Sequence, residues 1–112
     1  YSMSKKIEDW TTEAVPMILN YQNDDSLFIP TAGGAKLKGL MVDAEHVLNI
    51  INNPDHNIKK LFMICALRGD TDVQQFTMVL AGVDDDGKLV CDPAYEYLEP
   101  CPSNCANLDA HL

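Results

Sequence analysis

The sequence predicts a small α+β domain: two helices packed on an antiparallel sheet, with a three-stranded C-terminal meander over residues 60–91. Three observations carry that expectation. Two early stretches repeat apolar residues at helical spacing. Two later stretches, Leu61–Leu67 and Phe76–Val83, are apolar on both alternating faces. Asp84-Asp85-Asp86-Gly87 follows the second of them, and Asp-Gly between apolar stretches marks a hairpin, because Gly accepts the positive φ of the turn.

The first helix is read from Ile7, Trp10, Ala14, Ile18 and Tyr21, which share one helical face. Ser4 is the expected cap, and Glu8 and Asp9 suit the first turn through the helix dipole. Pro16 removes one intrahelical bond and crowds the preceding turn, so a kink or break is expected near Ala14–Val15. Asn23-Asp24-Asp25-Ser26 ends the element. Leu27-Phe28-Ile29 reads as a short strand stopped by Pro30, and Thr31–Gly34 as a loop. Lys36–Val42 alternates loosely and reads as a short edge strand, its lysines discouraging association.

Asp43 is the expected cap of the second helix. Ala44, Val47, Leu48 and Ile51 give it an inward stripe, which leaves His46 facing solvent. Asn52-Asn53-Pro54 terminates it. Leu61–Leu67 then reads as a central strand covered on both sides, burying Cys65. Phe76–Val83 is the next strand, and Lys88–Cys91 the third, lying at a sheet edge that a second copy could extend to give a homodimer. From Asp92 the prolines 93, 100 and 102 argue against a central strand. Residues 92–112 are expected to lie across the core as an extended segment, with Tyr95, Tyr97 and Leu98 supplying apolar area and the last residues poorly held. The 112 residues make one domain, 1–112, and 46% hydrophobic content suffices for a core without disulfide staples.

The net charge is −9. That argues against nucleic acid or an anionic membrane as the main partner, since both call for a basic patch. The acidity is lopsided: residues 1–69 carry a net −1 and residues 70–112 a net −8. The acidic C-terminal part reads as a solvated face or as a docking surface for a protein partner. No apolar run approaches the ~20 residues of a spanning helix. No apolar stretch follows Lys5 and Lys6 as a signal peptide would require, so a reducing cytoplasm is the expected setting, with a removed leader left open because the chain begins at Tyr1.

Three constellations hold residues suited to chemistry. Asp84–Asp86, with Asp70 and Asp72, offer the carboxylates that Ca²⁺ or Mg²⁺ prefer. The DxDG core lacks the glutamate that completes an EF-hand loop, since Tyr95 stands at the twelfth position. The two groups also flank a strand and would lie roughly 25 Å apart. Turn chemistry is the expected role. Cys101 and Cys105, with His111 beyond them and Cys91 as a fourth ligand, offer thiolate and imidazole groups to a metal. A disulfide between Cys101 and Cys105, or free thiols in a tail, fit the same spacing. A Cys–His nucleophile pair is not assembled by any spacing of Cys65 with His46 or His56. The sequence holds no phosphate-binding glycine loop, no nucleophile elbow and no H-E-x-x-H.

The N-terminal helix ending in Asn20-Tyr21, the stretch Phe28-Ile29-Pro30, the sequence Val83-Asp84-Asp85-Asp86-Gly87 and the close Pro100-Cys101-Pro102-Ser103-Asn104-Cys105 together resemble a group of short Bacteroidetes proteins with a Pro-Cys-Pro-x-x-Cys-like tail. The resemblance spans most of the chain and rests chiefly on the tail. It implies no activity. The expectation from residues alone is a small, acidic, soluble domain that binds or assembles without catalysis and without a cofactor. The alternatives are a metal- or redox-responsive protein using Cys91, Cys101, Cys105 and His111, and an enzyme whose site is built from loops.

Overall fold

A computed structural model describes residues 4–31, 34–69, 75–96 and 106–112, and the backbone of 99–101. The chain is α+β, with two helices and an antiparallel three-stranded sheet. No helix among the described residues is long and apolar enough to cross a membrane.

The first helical segment opens as a π-helical turn, Trp10–Ala14, and continues as α1, Val15–Gln22. The change of helix type falls at Ala14–Val15, where Pro16 had marked a break; Pro16 sits in the first turn of α1, where a missing N–H costs least. The cap is Asp9 rather than Ser4. Its Oδ1 accepts from the amides of Thr11 (3.0 Å) and Thr12 (3.3 Å). Glu13 answers by accepting from the amides of Glu8 and Asp9, at 2.9 and 2.8 Å. Lys5 stands 3.0 Å from the same carboxylate. Lys5 and the two amides hold the Glu13 carboxyl below its ordinary pKa.

Leu27–Ile29 does not form the expected strand. Its backbone is spent on a local bridge: Pro30 pairs with Lys36, and the Leu37 amide donates to the Ile29 carbonyl. Lys36 fixes this segment to α1 by donating to the carbonyls of Tyr21 and Asp24, its ammonium 4.2 Å above the Tyr21 ring. Tyr21 in turn donates its hydroxyl hydrogen to the Leu37 carbonyl. The lysine-flanked strand is real but short. As β1, Gly39–Met41, it pairs with β5, Glu99–Cys101, in a separate two-stranded ladder.

Asp43 caps α2, Ala44–Ile51, by accepting from the Glu45 amide at 2.9 Å. The inward stripe is rotated by one residue from the expected one. His46, Val47 and Ile50 turn to the sheet, while Leu48 and Ile51 stay exposed. His46 therefore does not face solvent. Its ring stacks on Tyr95, centroids 4.1 Å apart and nearly coplanar.

The main sheet is ordered β2 (Ile58–Arg68), β3 (Gln75–Asp84), β4 (Leu89–Glu96). Asp84 closes the β3–β4 hairpin by accepting from the amides of Asp86 and Lys88, both at 2.9 Å. Gly87 supplies the left-handed φ of 78°. The strand order overturns one expectation. The apolar run Leu61–Leu67 is not central: β2 is an edge, and β3 is the strand with neighbours on both sides. Cys65 is accordingly exposed, not buried. The third strand also runs further than Cys91. It continues to Glu96 by loosening its register between Leu80 and Gly82 of β3, and Pro93, which has no N–H to give a ladder, lies within that irregular stretch.

Register sorts the side chains. One face carries Leu61, Met63, Cys65 and Leu67 of β2 opposite Gly82, Leu80, Met78 and Phe76 of β3. Val90 and Tyr95 of β4 pair with residues of that same face. α2 packs there. Its Ile50, 1% exposed, lies over Gly82, where an added Cβ would stand 3.1 Å from Ile50 Cγ2 and 2.8 Å from Ile58 Cδ1. Asn49 and Asn53 pin the helix, donating to the Tyr95 hydroxyl and the Asp92 carbonyl, each at 3.1 Å. The other face carries Phe62, Ile64, Val79, Ala81, Val83 and Leu89. At the far end of the chain, Leu108–His111 forms a 3-10 turn tied to the first helical segment, the Trp10 indole donating to the His111 carbonyl at 2.8 Å.

Candidate functional site

Beside α2, the same face of the sheet is roofed by the segment that Lys36 and Tyr21 hold in place. Leu37, Lys38, Gly39 and Leu40 lie above Met63, Cys65, Phe76 and Met78, and the space between them is a groove of about 450 Å³. A smaller hollow of about 50 Å³ continues it between Leu40, Val42, Met63, Met78 and Leu80. The two share Leu40, Met63 and Met78.

The groove exists for a local reason. The chain reaches β1 through the Pro30–Lys36 bridge, and β1 bonds to β5 rather than to the main sheet. The roof is thus carried by its own ladder and spans the sheet without pairing to it. The walls are apolar or soft: Ile29, Leu37, Leu40, two methionines, Phe76 and the Cys65 thiol. Lys38 is the one charged residue among the described residues that line the groove. Tyr21 also lines the groove, and its hydroxyl is engaged by the Leu37 carbonyl. Met63, 64% exposed, forms the open rim.

The residues singled out from sequence do not converge on this groove, apart from Cys65. Cys91 is exposed on β4. Cys101 pairs through its backbone with Gly39 in β5. His111 lies in the 3-10 turn. Cys105, Asp70, Asp72, Tyr97 and Leu98 lie outside the described residues. Asp84, Asp85 and Asp86 do bring carboxylate oxygens within 4.8 Å of one another. Asp84 commits an oxygen to the turn amides, which is the expected turn chemistry. Asp24, in the turn after α1, accepts from the hydroxyl and amide of Ser26; these bonds, aided by the nearby Lys36, hold its carboxyl below the ordinary range.

Sequence reasoning missed the groove because nothing in the alternation of residues 61–67 distinguishes a strand covered on both sides from one left open. The available signal was Lys59-Lys60 and Arg68, charges bounding the run at both ends as gatekeepers bound an exposed strand. No protein-family model matches the chain, and no similar chain is found among curated proteins or solved structures.

Proposed function

We propose that the protein acts by binding rather than catalysis, and that the groove between Leu37–Leu40 and the β2–β3 surface takes a slim apolar molecule carrying one anionic group. The observation that carries this reading is the lining: an apolar trough with one cationic residue, Lys38, among the described residues that line it. Its volume falls in the ~300–1,000 Å³ range of small-molecule sites, and such sites pair apolar walls with few polar groups. The three histidines stand elsewhere: His46 against Tyr95, His56 in the loop before β2, His111 in the 3-10 turn. The first 69 residues, which supply the roof, carry a net charge of only −1, so an anion meets little repulsion there.

Titration with dodecanoate and with dodecanol, followed by calorimetry, tests the reading. Saturable one-to-one binding of dodecanoate is expected, weakened at least fivefold by Lys38→Glu, with dodecanol affinity little changed. Leu40→Glu is expected to weaken both. Absence of saturable binding by either probe would overturn the assignment.

A further inference from the structure

We propose that a second copy of this chain pairs with the open edge of β2, antiparallel and two-fold symmetric about Met63, joining two three-stranded sheets into one of six strands.

The edge is long, and apolar between its cationic ends. β2 spans 11 residues. Leu61, Phe62, Met63 and Leu67 leave 40, 50, 64 and 64% of their surface exposed, on both faces of the sheet. An edge strand also presents every second backbone N–H and C=O outward, unpaired. The opposite edge, β4, is interrupted by its loosened register and by Pro93. One open edge and one broken edge favour a closed pair over an open-ended stack.

Charge selects the register. Antiparallel two-fold pairing keeps like faces together only when the axis passes through a residue. An axis at Ile64 would set Lys60 directly opposite Arg68, and like charges opposite one another are unfavourable. An axis at Met63 sets Lys60 opposite Ala66, Leu61 opposite Cys65 and Phe62 opposite Ile64. It also brings Arg68 to the end of the partner strand where Ile58 pairs with Asp84. That carboxylate then lies two strand spacings away, about 10 Å, near one screening length at physiological salt. The apolar centre of each strand meets the apolar centre of the other, and Lys60 and Arg68, which an axis at Ile64 would set face to face, are moved to a diagonal, with Arg68 at the hairpin end of the partner sheet.

The foreign occupant, an unrelated extended peptide, is less well favoured. It would have to supply an apolar centre of the same length, which the second copy offers by construction. The contact area is modest. With one strand per copy, the pairing belongs near the ~1,200 Å² lower bound of stable interfaces, so a weak, concentration-dependent dimer is expected. Met63 and Cys65 line the groove, so the second copy closes the rim that the single chain leaves open; that consequence rests on the binding reading above, whereas the pairing does not.

Light scattering across a concentration series is the first measurement, with a shift from the chain mass to twice that mass expected. Phe62→Lys, on the face away from the groove, is expected to raise the dimer dissociation constant at least tenfold while leaving dodecanoate binding in place. Met63→Cys, in a background with Cys65, Cys91, Cys101 and Cys105 changed to Ser, is expected to form an interchain disulfide under mild oxidant, since directly opposed residues sit ~4.5–5.5 Å apart at Cα, within disulfide reach. Leu67→Cys in that background should not. A constant monomer mass, or crosslinking through position 67 but not 63, would overturn the pairing. Retained dodecanoate binding by such a monomer would leave the groove reading standing.

Discussion

Gly82 shows how one missing side chain sets the position of a whole helix. It lies on a central strand under Ile50, and any Cβ there would intrude on Ile50 and Ile58 together. Gly82→Ala is therefore expected to lower stability by about 1–3 kcal/mol, the usual cost of overpacking, as read by thermal denaturation. Glu13 carries a different kind of consequence. Its carboxylate collects Lys5 and the amides of Glu8 and Asp9, which depress its pKa in the folded chain. A depressed carboxyl contributes stability above the unfolded pKa, ~4.3, and loses it as pH falls through the folded value. The Glu8 and Asp9 amide resonances should thus titrate together below that pH. Glu13→Gln should abolish the common titration, and independent titration of the two amides in the parent protein would contradict the arrangement.

At the level of elements, the sequence made some features plain and concealed others for physical reasons. The hairpin at Asp84–Gly87 was legible because a positive φ and a carboxylate able to cap turn amides are local demands. The Asp43 cap was legible for the same reason. The change at Ala14–Val15 followed from Pro16, whose constraint is covalent. The inward face of α2 was misjudged because Leu48 and Ile51 are more apolar than His46, and only the distant Tyr95 makes His46 the better inward residue. Strand order was hidden as well: Leu61–Leu67 and Phe76–Val83 have the same texture, and which of them lies between two neighbours depends on pairing. The groove depends on both β1 and β5, 58 or more positions apart in the chain, and no local pattern announces their pairing. The rotated face of α2 is directly testable. Ile50→Ala should cost about 2–5 kcal/mol, as for a fully buried aliphatic, while Ile51→Ala should cost under 1 kcal/mol. Equal losses at the two positions would restore the face the sequence suggested.

Across the whole molecule, apolar surface remains uncovered. The radius of gyration is 16.0 Å, against ~13 Å for a compact domain of about this length. Ile50 is the largest side chain buried to below 2% exposure among the described residues, while Phe62, Met63 and Leu67 stand half or more exposed along β2. An open β2 is the feature on which both the groove and the pairing depend. Amide hydrogen exchange, resolved by residue and run at low and high protein concentration, measures it most directly. Outward-facing amides of residues 60–66 are expected to exchange fast in dilute protein while β3 is protected, and those same amides to become protected as concentration rises. Residues 60–66 protected to the level of β3 at the lowest concentration would contradict it, because that is the behaviour of a strand already covered on both sides.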